Sequence, residues 1–194
     1  MNRVSRNKKK MLIALVMCTM LVCGLCITGL AADPNDIDRT ATGTLAVQPR
    51  LVNGDAVAGG TFNVYTVALL DNSVPHGQLR YVLEDEFDPD GSNYMDISWI
   101  QVINQGPGFV GAEALADASE KLAELAGDVP DSKVILLSVD NGYKASDLAL
   151  GIYLVVQTSG IEDYSDIAPF LVFIPTTNAD SAGWDAIVTA YPKL

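Results

Sequence analysis

The feature that most constrains this chain is a series of short segments rich in β-branched and aromatic residues, each closed off by Gly, Pro, Asn or Asp. Thr44 to Val52 alternates Leu45, Val47 and, after a polar break, Leu51. Gly54-Asp55 and Gly59-Gly60 mark turns ahead of Thr61 to Leu70. These first two segments are expected to be neighbouring strands. Further strands are expected at Leu79 to Leu83, Ile97 to Ile103, Val134 to Val139, Ile152 to Thr158, Phe170 to Ile174 and Ile187 to Tyr191. Segments this short, so punctuated, suit a mainly β sandwich better than alternating βαβ units.

One segment breaks the pattern. Leu115, Ala118, Leu122 and Leu125 recur at helical spacing within Ala112 to Ala126, with Asp117 and Lys121 four apart on another face. Gly127 and Pro130 are expected to end that helix. Its apolar stripe is read as a packing face laid over a sheet, not as a cofactor box.

The first 32 residues differ from everything after them. Arg3, Arg6, Lys8, Lys9 and Lys10 precede an apolar run from Met11 to Leu30, and Gly29, Ala31 and Ala32 follow at its end. This order is that of a secretory signal peptide, residues 1–32, with cleavage expected after Ala31 or Ala32. The run is long enough to span a bilayer, so an uncleaved anchor stays open as the alternative. Val22 before Cys23 and Leu25 before Cys26 do not fit a lipoprotein site. Residues 33–42, polar and containing Pro34, read as a flexible leader, and residues 43–194 as one folded domain.

Charge and thiol content narrow the function. Beyond residue 32 the chain carries seven basic and 24 acidic residues, a net charge near −17, which repels nucleic acid and anionic lipid. Cys18, Cys23 and Cys26 all lie in the apolar run, so the exported part has neither a disulfide framework nor a thiolate nucleophile or metal site. The only histidine, His76, sits between Pro75 and Gly77 in what reads as an exposed turn. A Ser/His/Asp or Cys/His constellation is therefore not expected, and no catalytic residue is assigned. Gly106-Pro107-Gly108 lacks the lysine and hydroxyl of a phosphate loop and reads as a turn.

The acidic stretch Glu84 to Gly91 places Glu86, Asp88 and Asp90 like the first half of a calcium loop, but the twelfth position is Ile97, which cannot coordinate. A solvated turn is the favoured reading, with no metal and no cofactor expected.

The C-terminus carries the specific signal. Trp184, three residues, Val188, Thr189-Ala190 and then Tyr191-Pro192-Lys193 resemble the pilin motif of Gram-positive, sortase-assembled pilus backbone subunits, with Ala190 and Leu194 departing from the usual Val and Asn. Gly43 to Val47, Gly59 to Tyr65, Gly151 to Thr158 and Ile167 to Pro175 are similar to the same family's N-terminal domain. The likeness thus runs from about Gly43 to Lys193. It implies an Ig-like, Cna B-like β-sandwich with one amphipathic helix, at the cell surface, in a structural subunit and not an enzyme.

In that family the lysine amine attacks a thioester between sortase and another pilin's sorting signal, forming an isopeptide bond. Carried over, Lys193 is the acceptor, and the partners are other pilin subunits, a pilin-specific sortase and a host ligand. Lysine amines are protonated at neutral pH, so deprotonation needs the docked enzyme or a nearby acid or base. The segment itself suits the role: alternation puts Ile187, Thr189 and Tyr191 on one face and Val188 and Ala190 on the other. Pro192 is expected to stop the strand and carry Lys193 off the sheet. The family's internal Lys–Asn isopeptide bond is not expected, because Gln48 and Arg50 stand where its lysine would be and Gln157 replaces its promoting acid.

The chain ends at Leu194 without a Leu-Pro-x-Thr-Gly signal, so a fragment of a longer pilin or a truncated product is expected. The competing reading is a secreted or membrane-tethered adhesion module of the same fold that is never cross-linked.

Overall fold

The computed structural model describes residues 37–73, 80–88, 112–177 and 183–194. The expected strand at Ile97 to Ile103, the signal segment and the His76 turn lie outside them.

The fold is mainly β, built on two principal sheets. The larger runs β3 (Tyr81–Leu83), β2 (Thr61–Leu70), β6 (Gly151–Ser159), β7 (Phe170–Ile174), and β4 (Ile135–Leu137) shares with β3 the outer edge of β2. The smaller runs β10 (Ile187–Ala190), β1 (Gly43–Val47), β5 (Lys144–Leu148). A two-stranded ribbon joins β8 (Thr176–Thr177) to β9 (Trp184–Asp185).

Burial explains the layering. Along β1, Gly43, Leu45 and Val47 are buried while Thr44 and Ala46 are not, so this sheet packs on one face only. In β6, by contrast, five successive residues from Gly151 to Val155 are buried, which requires cover on both faces. The smaller sheet supplies one cover: Leu45, Val47, Val188 and Ala190 join a single core with Phe62, Val64, Leu154 and Ile174. The helix α1 (Ala112–Leu125) lies against β6 and β7, with Ala118 and Leu122 buried. Asp117 and Lys121 are exposed, as the helical spacing predicts. The buried Ser119 hydroxyl donates back to the Leu115 carbonyl at 2.7 Å, which removes its burial cost.

Most expected strands are present with ends shifted by no more than two residues, but the first, expected over Thr44 to Val52, already ends at Val47. One expected neighbour relation is not. The segments around Leu45 and Val64 belong to different sheets: β1 pairs in parallel with β10 and antiparallel with β5, and β2 pairs with β6. Both edges of β1 are thereby taken, and what it shares with β2 is the buried core between the sheets.

Strand β5 has no counterpart in the sequence reading. Its residues Lys144, Ser146 and Asp147 are exposed and only Ala145 and Leu148 are buried, so there is no alternation to detect. The register slips between Gly43 and Leu45, where Asp147 takes a left-handed φ of 59°.

Two close approaches fix how the layers meet. A Cβ at Gly43 would lie 2.3 Å from Ile174 Cγ2 and 2.9 Å from the Ala186 carbonyl oxygen, so only glycine lets β1 begin here. At Gly151 a Cβ would lie 2.3 Å from the Ala68 carbonyl oxygen, beside the irregular register of β2 and β6.

Candidate functional site

The C-terminal residues are placed by one continuous register. Leu45 opposes Val188, Ala46 opposes Thr189 and Val47 opposes Ala190; three residues on, Arg50 opposes Lys193 with the same offset. Backbone bonds follow the same line, from Thr44 N to Ala186 O at 2.8 Å, Gln48 N to Ala190 O at 2.8 Å and Arg50 N to Pro192 O at 2.9 Å. Leu194 N then donates to Arg50 O at 2.9 Å.

The regular strand ends at Ala190, ahead of Pro192 as expected, but Lys193 is not carried off the sheet: it makes an isolated parallel bridge to Arg50. At the ladder's offset Pro192 stands opposite Pro49. Pro192 withholds the single N–H that would have reached the Gln48 carbonyl, and its own carbonyl still accepts from Arg50. Pro49 costs nothing on this side, since its nitrogen faces away from β10, and its carbonyl accepts from Val57 N at 2.9 Å. Pairing therefore loses one rung and resumes, and Lys193 stays in line with the sheet edge.

The side chains alternate as anticipated. Val188, Ala190 and Pro192 are buried, whereas Ile187 is 77% and Tyr191 39% exposed. Lys193 is half-buried, with its Nζ donating to the Leu51 carbonyl at 3.4 Å. That carbonyl belongs to a tight turn in which Gly54 N donates to Leu51 O and Leu51 N to Asp55 O, both at 2.9 Å. Asn53 and Asp55 brace the turn, the Asn53 amide donating to the Asp55 carboxylate at 2.7 Å. Arg50 sits between turn and terminus, paired antiparallel with Ala56 and parallel with Lys193.

Trp184 stands apart from these residues. It lies in β9, half-buried against the core and opposite Thr177, and leads into Ala186, whose carbonyl receives the first rung of β1. The five motif residues thus divide: Val188, Tyr191, Pro192 and Lys193 follow one strand edge, and Trp184 anchors the chain where that strand begins.

Sequence reasoning missed Arg50 here, considering it only as a failed nucleophile. Its guanidinium lies 4.3 Å from the centre of the Tyr191 ring and donates to Gln48 Oε1 at 3.0 Å and to the Gly54 carbonyl at 3.4 Å. A signal existed in the sequence, since Pro49-Arg50 and Pro192-Lys193 are both proline–cation pairs, but only the register shows that they face each other.

The other candidates fall elsewhere. Glu86 and Glu84 converge on Lys133, at 2.6 Å and 4.0 Å, which ties the acidic turn to the segment entering β4. The hydrogen bond from Lys133 holds the Glu86 carboxyl below its ordinary range and, in return, raises the lysine. Residues 89–91 of the calcium-like stretch lie outside the described residues, and among the described residues no three His, Cys, Asp or Glu groups converge as metal ligands. Gln157 accepts from Ile167 N at 2.5 Å through Oε1, while its Nε2 is buried without a hydrogen-bond partner. Among the described residues no helix is long and apolar enough to cross a membrane.

No family model matches the sequence, and no curated protein matches it. Among solved structures the chain is similar to the major pilin SpaD of Corynebacterium diphtheriae, at 22% identity and a TM-score of 0.48, over 82% of this chain and 31% of that one. It is also similar to the SpaA pilin of the same organism in its signal-peptide complex, at 21% identity and a TM-score of 0.40, over 78% of this chain and 95% of that one. The basal pilin SpaB of Lactobacillus rhamnosus GG is similar at 16% identity and a TM-score of 0.41, over 79% and 96%. The chain thus spans about a third of the full-length major pilin SpaD. At these identities and scores the likeness assigns no role to any residue of this chain.

Proposed function

We propose that this chain is a structural subunit of a covalently polymerised cell-surface pilus, in which the Lys193 amine accepts the sortase-delivered C-terminus of a neighbouring pilin. The observation that carries the reading is the register of Lys193: it ends a strand edge whose preceding residues Val188, Ala190 and Pro192 are buried, so the backbone beneath the amine is fixed. The side chain rests on the Leu51 carbonyl at the edge of a braced surface turn. A fixed backbone under a long flexible side chain limits the orientations an acyl donor must find.

Lys193 supplies the nucleophile of the reaction. The lysine nitrogen attacks the thioester carbonyl carbon held on the sortase cysteine, a C–N bond forms, the C–S bond breaks, and the sulfur leaves as thiolate. The ammonium must first give up one proton to become nucleophilic and the attacking nitrogen gives up a second as the amide forms, both going to the enzyme's base or to water. The chain is a substrate in this scheme and not a catalyst, and its site is on the exported side of the membrane with other pilin subunits and the sortase as partners.

The test is to incubate the exported chain with a pilin-polymerising sortase and a peptide bearing a Leu-Pro-x-Thr-Gly signal, then to map adducts by mass spectrometry. An isopeptide on Lys193 is expected. Adducts confined to Lys121, Lys133 or Lys144, or none at all, would overturn the reading.

A further inference from the structure

We infer that Arg50 is the positioning residue of the Lys193 acceptor, an inference that rests on the acceptor reading above. Two cations opposite each other in a parallel pair share one face of the sheet, an arrangement that ordinarily destabilises. The exported part has only seven basic residues, so a facing pair stands out and needs a reason.

The geometry supplies one. Arg50 contacts the residues on both sides of Lys193: its guanidinium covers the Tyr191 ring at 4.3 Å, its N–H donates to the Pro192 carbonyl at 2.9 Å, and its carbonyl accepts from Leu194 N at 2.9 Å. The residue after it, Leu51, holds the amine itself. The backbone of residue 50 thus pins the strand under Lys193, and the guanidinium, lying over Tyr191 and donating to the Gly54 carbonyl, ties that strand to the turn whose Leu51 carbonyl receives the amine. The Tyr191 ring face and the Leu51 carbonyl receive the two cations separately, which allows them to share the face.

Arginine is suited to this place where lysine is not. A planar guanidinium can lay its face on the ring while its edge donates to Gln48 Oε1 and the Gly54 carbonyl. The side-chain contact also lies beside the position where Pro192 removes a rung from the ladder.

The experiment is the sortase transfer assay with wild type, Arg50→Ala, Arg50→Lys, Tyr191→Ala and the Arg50→Ala/Tyr191→Ala pair, reading the rate of adduct formation on Lys193 beside the thermal midpoint. Arg50→Ala is expected to slow transfer about tenfold, a modest displacement of a reacting group, with the midpoint little changed. Arg50→Lys, which keeps the charge over the ring, is expected to recover part of the loss. The double variant is expected to be no slower than the slower single one, because both act through the same contact.

An Arg50→Ala rate within about twofold of wild type, the scatter expected of a contact that does no positioning, overturns the inference and leaves the acceptor reading standing. So do losses that multiply in the double variant. If Arg50→Ala does not fold, Arg50→Lys decides, and a rate equal to wild type overturns the inference. Absence of any adduct on Lys193 in the wild type removes the acceptor reading and this inference together.

Discussion

Arg50 and Lys193 are partners in a parallel bridge that extends the β1–β10 ladder past two prolines without changing its offset. Residues Pro192 to Leu194 thus continue the sandwich edge beyond β10.

If Lys193 is the acceptor, Lys193→Arg keeps the charge and most of the packing but removes the nucleophilic amine. Transfer in the sortase assay is expected to fall to background, with Lys121, Lys133 and Lys144 no more modified than before. Mass mapping of the product checks this.

Gly43→Ala is expected to destabilise the domain by roughly 1–3 kcal/mol, the range for forcing extra volume into a packed site. The new methyl would meet Ile174 Cγ2 and the Ala186 carbonyl, the group that starts the β1–β10 ladder. Denaturant unfolding measures the loss, and faster hydrogen exchange at Thr44 and Gln48 would locate it.

Acid stability is expected to depend on Asp71. Hydrogen bonds from Ser73, and then from the Arg80 side chain, hold its carboxyl down to about 2. A carboxyl depressed in the folded state binds fewer protons there than in the unfolded chain. Its contribution is therefore present above the ordinary value of 3.8 and is lost as pH falls toward about 2. Unfolding free energies measured across that window should decline less steeply in Asp71→Asn than in wild type.

At the alkaline end the sign reverses. Burial pushes the Tyr81 phenol up to about 12, and burial with the nearby Glu84 does the same for Tyr153. Each contributes stability that is intact below the ordinary value of 10 and is lost as pH rises toward about 12. Tyr81→Phe and Tyr153→Phe are expected to flatten the alkaline decline. The second also breaks the bond from the Tyr153 hydroxyl to the Ala149 carbonyl, so its neutral-pH stability should drop by about 1 kcal/mol.

Much of the architecture was legible because its signals are local. Alternation marked β1 and β10, the short punctuated segment Ile152 to Thr158 marked β6, and the Leu115, Ala118, Leu122 spacing marked α1. Strand β5 was illegible because its pairing with β1 is carried by backbone bonds and two buried side chains, not by a pattern. The candidate site was half legible: the motif pointed to Lys193, but Arg50 is 143 positions away in the chain and nothing local ties the two together.

By itself, then, the sequence determined most of the longer elements and their apolar faces, since these follow from the period of side chains along a strand or helix. Only the tertiary structure decided which strands are neighbours, that Pro192 interrupts pairing without ending it, and which cation stands opposite Lys193. Register between distant segments is set by how two sheets close over a shared core, and that is a property of the packed chain as a whole.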